Sequence, residues 1–201
     1  MENEFSTGTW NYTVLSYGKA AITGYTGTDT KIVIPDEVDG LTVTEIAYKA
    51  FFDNEDIVSV TISDTVKKIG ESAFCGCCCL SEVIIPDTVE EIGEEAFHEC
   101  ACLSDDGGFV IVRDTLYDYF GDSEEVIVPD GVRTIGCYCF SNDKIETITL
   151  PDSVSKIEES AFYLCKNLTV YIHSTKCDID GGAFDGCEYC ECIFKIPRAK
   201  Q

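Results

Sequence analysis

The sequence predicts a mainly β protein, a solenoid of stacked 22–23-residue units with short parallel strands and few or no long helices. Three observations predict it. Ala-Phe recurs at Phe51, Phe74, Phe97, Phe162 and Phe184, with Cys139-Phe140 as a variant, and these phenylalanines are 23, 23, 43, 22 and 22 residues apart. An isoleucine stands five residues before each of them: Ile46, Ile69, Ile92, Ile135, Ile157 and Ile179. Turns of one kind open the units, at Ile34-Pro35-Asp36, Ile85-Pro86-Asp87, Val128-Pro129-Asp130 and Leu150-Pro151-Asp152, with Ile62-Ser63-Asp64 as a variant. One unit this short cannot bury its own apolar side chains, but stacked neighbours can.

The elements follow in chain order. Residues 1–33 read as an N-terminal β-hairpin cap that shields the first edge of the stack from other strands. Residues 34–104 carry repeats 1–3. Each repeat holds two short strands, one ending at the Pro-Asp turn (Val83-Ile84-Ile85) and one ending at the key isoleucine (Glu90-Glu91-Ile92). Gly70, Gly93 and Gly136 close the second strand, and the Gly-x-x-Ala-Phe-x-x-Cys stretch reads as turns or a short helical coil. The long spacing hides a second hairpin at 105–127. Its Leu116-x-x-Tyr119-x-Gly121 matches Ile22-x-x-Tyr25-x-Gly27, counting back from the following proline. Residues 128–201 carry repeats 4–6 and the C-terminal end, so the whole reads as one continuous domain. The last repeat is degraded, with His173 at the proline position and Lys176 at the valine position. Charge tests the register independently: the residue before the key isoleucine runs Glu45, Lys68, Glu91, then Thr134, Lys156, Asp178, and alternating signs suit neighbouring strands.

Composition narrows the function. Fourteen Lys and Arg against 37 Asp and Glu give a net charge of −23, which disfavours nucleic acid and anionic membrane surfaces as partners. Hydrophobic residues make up 45% of the chain, enough for a core. No apolar run approaches the ~20 residues of a membrane span, and the acidic start Met1-Glu2-Asn3-Glu4 does not read as a signal peptide. No phosphate-cradling glycine loop or nucleophile elbow is present, so neither enzyme activity nor a cofactor is expected.

In register over residues 10 to 197, these units resemble the BspA-type leucine-rich repeat, a family of bacterial and protist surface proteins. The resemblance implies a non-catalytic binding or adhesion module, for a protein or glycan at the cell surface, or secreted. It also places Asn or Cys at an inward turn position three after Phe, which Cys77, Cys100, Cys165 and Cys187 occupy in four of the repeats. A monomer is expected. The competing readings are a cytosolic interaction scaffold and a thiol-rich metal-binding protein.

Thirteen cysteines are present. The four inward ones read as buried thiols packed as small hydrophobes. Cys79 and Cys102 occupy one repeat position on adjacent rungs, and so do Cys75 and His98. The alternatives are reduced structural thiols, a Cys79–Cys102 bridge, or a four-ligand zinc group of Cys75, Cys79, His98 and Cys102. Asp36, Asp64, Asp87, Asp130 and Asp152 also share one position, either as hydrogen-bonding turn residues or as a calcium row. Ligand-contact candidates are the variable outward aromatics Tyr138 and Tyr163, and Tyr117 and Phe120 on the inserted hairpin.

Overall fold

The computed structural model describes residues 4–141, 144–174 and 176–194. The expectations for the polar start at residues 1–3 and for the C-terminal end at residues 195–201 lie outside them. The chain packs as two compact units, Met1–Leu103 and Ser104–Gln201.

In the first unit the strands are β1 (Glu4–Thr7), β2 (Trp10–Leu15), β3 (Lys19–Tyr25), β4 (Lys31–Val33), β5 (Glu37–Val38), β6 (Leu41–Ile46), β7 (Ser59–Thr61), β8 (Lys68–Ile69), β9 (Glu82–Ile84) and β10 (Glu91–Ile92). One sheet runs β1-β2-β3-β6-β8-β10, with β5 paired to β6, and a second runs β4-β7-β9. The antiparallel hairpin β2–β3 hands over to a parallel stack, in which Ile22, Ile46, Ile69 and Ile92 face one another rung by rung. The strand β3 is therefore both the second arm of the hairpin and the first rung of the ladder. Beyond the expected hairpin, β1 adds an antiparallel strand on the outer side of β2.

The second unit repeats the plan with β11 (Phe109–Val112), β12 (Thr115–Tyr119), β13 (Glu125–Ile127), β14 (Thr134–Ile135), β15 (Thr147–Leu150), β16 (Lys156–Ile157), β17 (Asn167–Ile172), β18 (Asp178–Ile179) and β19 (Tyr189–Phe194). Its sheets run β11-β12-β14-β16-β18 and β13-β15-β17-β19. Here too the hairpin's second strand, β12, pairs in parallel with the next rung, Leu116 against Ile135. Both units are thus built from stacked parallel strands, with one strand of each rung in each sheet.

The charge register holds, with Glu45 opposite Lys68 and Lys68 opposite Glu91. The Lys68 Nζ lies 2.6 Å from Glu91 Oε1. In the second unit Lys156 stands opposite Asp178, but its ammonium turns to Glu158 Oε1 at 2.8 Å. The Lys68–Glu91 pair is solvated on both sides and contributes less than about 1 kcal/mol, whereas in the second pair the Glu158 side chain is largely buried.

Inside, the repeated phenylalanines stack. Phe51 and Phe74 have ring centroids 4.9 Å apart at 1°, and Phe74 and Phe97 5.4 Å apart at 6°. In the second unit Phe140, Phe162 and Phe184 stack at 5.7 and 4.9 Å. The Tyr119 ring covers Phe140 at 5.7 Å. The hairpin tyrosine therefore closes that phenylalanine ladder at its upper end.

The Ala-Phe stretches are turns, as expected, and they carry their own hydrogen-bond ladder. Lys49, Phe51 and Asp53 N–H groups donate to Glu71, Ala73 and Cys75 carbonyls, and Ser72, Phe74 and Gly76 donate in turn to Glu94, Ala96 and His98. Such bonding requires left-handed backbone at fixed places. Two residues before Phe these are Lys49, Ser72, Glu95, Tyr138 and Ser160, and two after it Asp53, Glu99 and Leu164, all with φ between 52° and 59°. Gly93 serves another need: a Cβ there would sit 2.4 Å from Glu71 N on the preceding rung, so only glycine fits the approach of the two backbones.

The N-terminal strands are tied to the first unit by a carboxylate. Asp39 accepts hydrogen bonds from Tyr12 Oη and Thr7 Oγ1, both at 2.8 Å. The Tyr12 and then the Thr7 hydroxyl hold the Asp39 carboxyl below its ordinary value of 3.8. With a folded pKa lower than the unfolded one, its stabilisation is complete above the unfolded pKa and is lost as pH falls through the folded pKa. Acid titration of Asp39→Asn should therefore lack the part of the acid loosening that wild type shows below the ordinary carboxylate range. Identical acid profiles by circular dichroism would show that Asp39 carries no such linkage.

Candidate functional site

The turn ladder presents its outward side chains on backbone that is hydrogen-bonded from rung to rung. Tyr138 stands at left-handed φ two residues before Phe140, and Tyr163 follows Phe162 on the next rung. Their rings meet edge to face, with centroids 5.6 Å apart at 81°. Tyr138 stays exposed, Tyr163 is half-buried, and Leu164 beside them is exposed. The Ser141 hydroxyl donates to the Tyr163 carbonyl at 3.3 Å, which holds the second rung's turn in place. Two of the four ligand-contact candidates are thus brought together.

Of the other two, Phe120 is exposed just after β12, where its N–H bonds to the Gly108 carbonyl at 2.8 Å. Tyr117 is a correction: it is 4% exposed and cannot be a surface contact. Alternation along a strand predicts one face out, but Leu116, Tyr117, Asp118 and Tyr119 in β12 are all buried, because both faces of this strand are covered. Burial pushes the Tyr117 hydroxyl far above its ordinary range.

In the first unit the corresponding turns carry a group that sequence reasoning did not single out. Tyr48 and Phe52 are 60% and 40% exposed. The Lys49 ammonium lies 5.2 Å from the Tyr48 ring centroid and 4.5 Å from that of Phe52. Phe52 stood out only as one member of a variable column. Tyr48 gave a usable signal, as an aromatic where the next two rungs have Glu71 and Glu94.

The inward cysteines do more than fill space. Cys77, Cys100, Cys165 and Cys187 each donate their thiol to a phenylalanine carbonyl of the rung before (Phe51, Phe74, Phe140, Phe162) at 3.0–3.1 Å. All thirteen cysteines are thiols, none of them in a disulfide among the described residues. Burial pushes the Cys77 thiol up to about 12, and likewise Cys75, where Glu99 and Glu95 add to the effect. The thiolate is the reactive form, so these two stay inert at neutral pH. Alkylation of the native protein should label exposed Cys78, Cys79 and Cys102 and spare Cys75, Cys77, Cys100 and Cys165, read by peptide mass mapping. Equal labelling of both sets would contradict the buried ladder.

The candidate zinc group is not assembled. Cys75 is buried while Cys79 and Cys102 are exposed. Among the described residues no cluster of three or more His, Cys, Asp or Glu is placed to hold a metal ion. The sequence register is right, but Cys75 is buried, with the charges of Glu99, Glu95, Asp53 and Lys49 acting on it. The row Asp36, Asp64, Asp87, Asp130 and Asp152 is exposed along its length. The Asp36 carboxylate accepts from the Ser63 hydroxyl of the next rung. The turn itself is closed by the backbone, Val89 N–H to the Pro86 carbonyl at 3.1 Å and Val154 N–H to Pro151 at 3.2 Å. A shallow cavity of about 360 Å³ opens between β17 and β19 over Leu168, Thr169, Tyr189 and Cys190. Desolvation and the nearby Cys192 push the Cys190 thiol up to about 12, so it is protonated at neutral pH.

Among the described residues no helix is long and apolar enough to cross a membrane. No curated protein matches the chain. Among solved structures, it is similar to a leucine-rich cell surface protein from Faecalibacterium prausnitzii A2-165 at 28% identity and TM-score 0.59, covering 94% of this chain and 55% of that one. It therefore spans just over half the length of that relative. A leucine-rich repeat protein of T. pallidum matches at 28% identity and TM-score 0.52, over 94% of this chain and 81% of that one. One from Bacteroides capillosus matches at 26% and TM-score 0.50, over 75% and 99% respectively. The family model for the BspA-type leucine-rich repeat region matches six copies over residues 27–105 and 111–198. With that motif in register across both units, the chain belongs to the BspA-type leucine-rich-repeat family.

Proposed function

We propose that the chain is a non-catalytic binding module that recognises a protein or glycan at a cell surface. The observation that carries this reading is the edge-to-face pair of exposed Tyr138 and half-buried Tyr163 on adjacent rungs. Tyrosines on hydrogen-bonded backbone offer contact area at low entropic cost, and their hydroxyls can meet either a peptide group or a sugar hydroxyl. Two similar solved structures are of leucine-rich repeat proteins, and a third is described as a cell surface protein, which supports the location. The test is an array of glycans and extracellular proteins probed with the wild-type chain and with Tyr138→Ala/Tyr163→Ala. The double variant is expected to keep its melting temperature and to weaken the best hit by about tenfold or more. Unchanged affinity would exclude this pair, and Phe120→Ala then tests the hairpin in the same way.

Thirteen cysteines, an odd number that does not suit a disulfide framework, favour a second reading, an interaction scaffold in a reducing compartment. Labelling intact producing cells with a membrane-impermeant amine reagent separates the two: a modified chain supports the surface, an unmodified one the scaffold.

A further inference from the structure

We infer that the turn surface of the first unit, around Tyr48 and Phe52, docks the cationic side chains of an extended Lys/Arg-rich polypeptide, and that Lys49 is its internal occupant. This site is separate from the Tyr138–Tyr163 pair and does not draw on it. The chain itself shows what the aromatic pair accepts. The Lys49 ammonium lies 4.5 Å from the Phe52 centroid and 5.2 Å from that of Tyr48, both inside the ~6 Å reach of a cation–π contact. The pair is exposed, so such a contact is weak enough for an incoming cation to replace.

The surroundings supply the complementary charge. The turn ladder sets Glu71 of the second rung beside Lys49, whose N–H donates to the Glu71 carbonyl at 3.1 Å. Glu94 of the third rung stands at the same repeat position as Glu71, and Glu95 and Glu99 flank it. Like charges at one position on neighbouring rungs, ~4.8 Å apart, disfavour each other. A cation lying across them relieves that. Three rungs span ~10 Å, too broad for one ion but suited to an extended chain whose alternate residues, ~6.8 Å apart, point the same way. Arginine fits both halves of the surface, since its planar guanidinium stacks on aromatic rings and forks onto carboxylates. The net charge of −23 steers a basic partner in and turns a nucleic acid away.

The test uses a fluorescent peptide of alternating arginine and serine and the full chain, read by anisotropy. Tyr48→Ala/Phe52→Ala should weaken binding about tenfold with an unchanged melting temperature. Lys49→Gln removes the internal competitor and should tighten binding about threefold. Lys67→Gln changes net charge equally but stands off the turn, and should leave affinity near wild type. Glu94→Gln/Glu95→Gln should weaken binding more than Glu124→Gln/Glu125→Gln in the second unit. Tyr138→Ala/Tyr163→Ala should have no effect, which keeps this site's failure distinct from that of the other. Equal effects of Lys49→Gln and Lys67→Gln would reduce the binding to bulk charge and overturn the inference. So would wild-type affinity in the aromatic double variant, or no binding by the wild-type chain.

Discussion

Phe74→Ala is expected to lower the stability of the first unit by about 3–5 kcal/mol in urea unfolding, the range for emptying a buried aromatic site. Phe74 is fully buried and stands between Phe51 and Phe97, with near-parallel rings on both sides. Its removal loses the transfer free energy of a large side chain and two ring–ring contacts, each worth about 0.5–1.5 kcal/mol. The site is poorly able to collapse, because its backbone is pinned on both sides: Phe51 N–H donates to Ala73, and Phe74 N–H donates to Ala96. In a stack where each rung meets only its neighbours, a lesion in the middle weakens two interfaces, whereas one in a terminal rung weakens one. A loss under about 1 kcal/mol would mean that the rungs close over the gap and that the stacked rings are incidental.

Gly93→Ala is the second large effect, a loss of about 1–3 kcal/mol or more from overpacking. The obstacle is backbone: the new Cβ would lie 2.4 Å from Glu71 N and 2.7 Å from Glu71 Cα and Gly70 C. No side-chain rotation relieves that, so the two rungs must separate where β8 and β10 pair through Glu91 with Lys68 and Ile92 with Ile69. Gly136→Ala in the second unit is the internal comparison. There the nearest atom is Leu116 O at 3.0 Å, so the same substitution should cost clearly less. Equal losses at the two positions would show that the closer backbone approach at Gly93 does not set the cost, since alanine's restriction of the denatured chain acts in the stabilising direction at both sites alike.

Most of the fold was legible because its signals are redundant. Phenylalanine, isoleucine and the Pro-Asp turn each mark the same period, and the charges at Glu45, Lys68 and Glu91 give the register without reference to any apolar residue. The dual use of β3 and β12 was not legible. Hairpin arms and rung strands have the same apolar pattern, and only the parallel pairing of Leu116 with Ile135 tells them apart. The candidate site was half legible. Variation at two repeat positions, two before and one after Phe, pointed to Tyr138 and Tyr163, but strand alternation misled at Tyr117, where both faces of β12 are covered. Column reasoning likewise put Cys75 beside His98 correctly in sequence and said nothing of burial. The thiol-to-carbonyl bonds of Cys77 and its equivalents depend on the turn geometry, which the repeat pattern does not carry.

The left-handed positions in the turns bear on how this surface can change over evolutionary time. At Lys49, Glu95, Glu99 and Tyr138 glycine would hold the same φ without the steric cost that a Cβ brings. The chain keeps long polar and aromatic side chains there instead and forgoes a stability reserve spread over both units. Residues of this kind are replaceable without penalty to the core, since the ladder beneath them is made by backbone atoms alone. The turn side is thus a surface whose exposed side chains are free to change while the phenylalanine stack stays fixed.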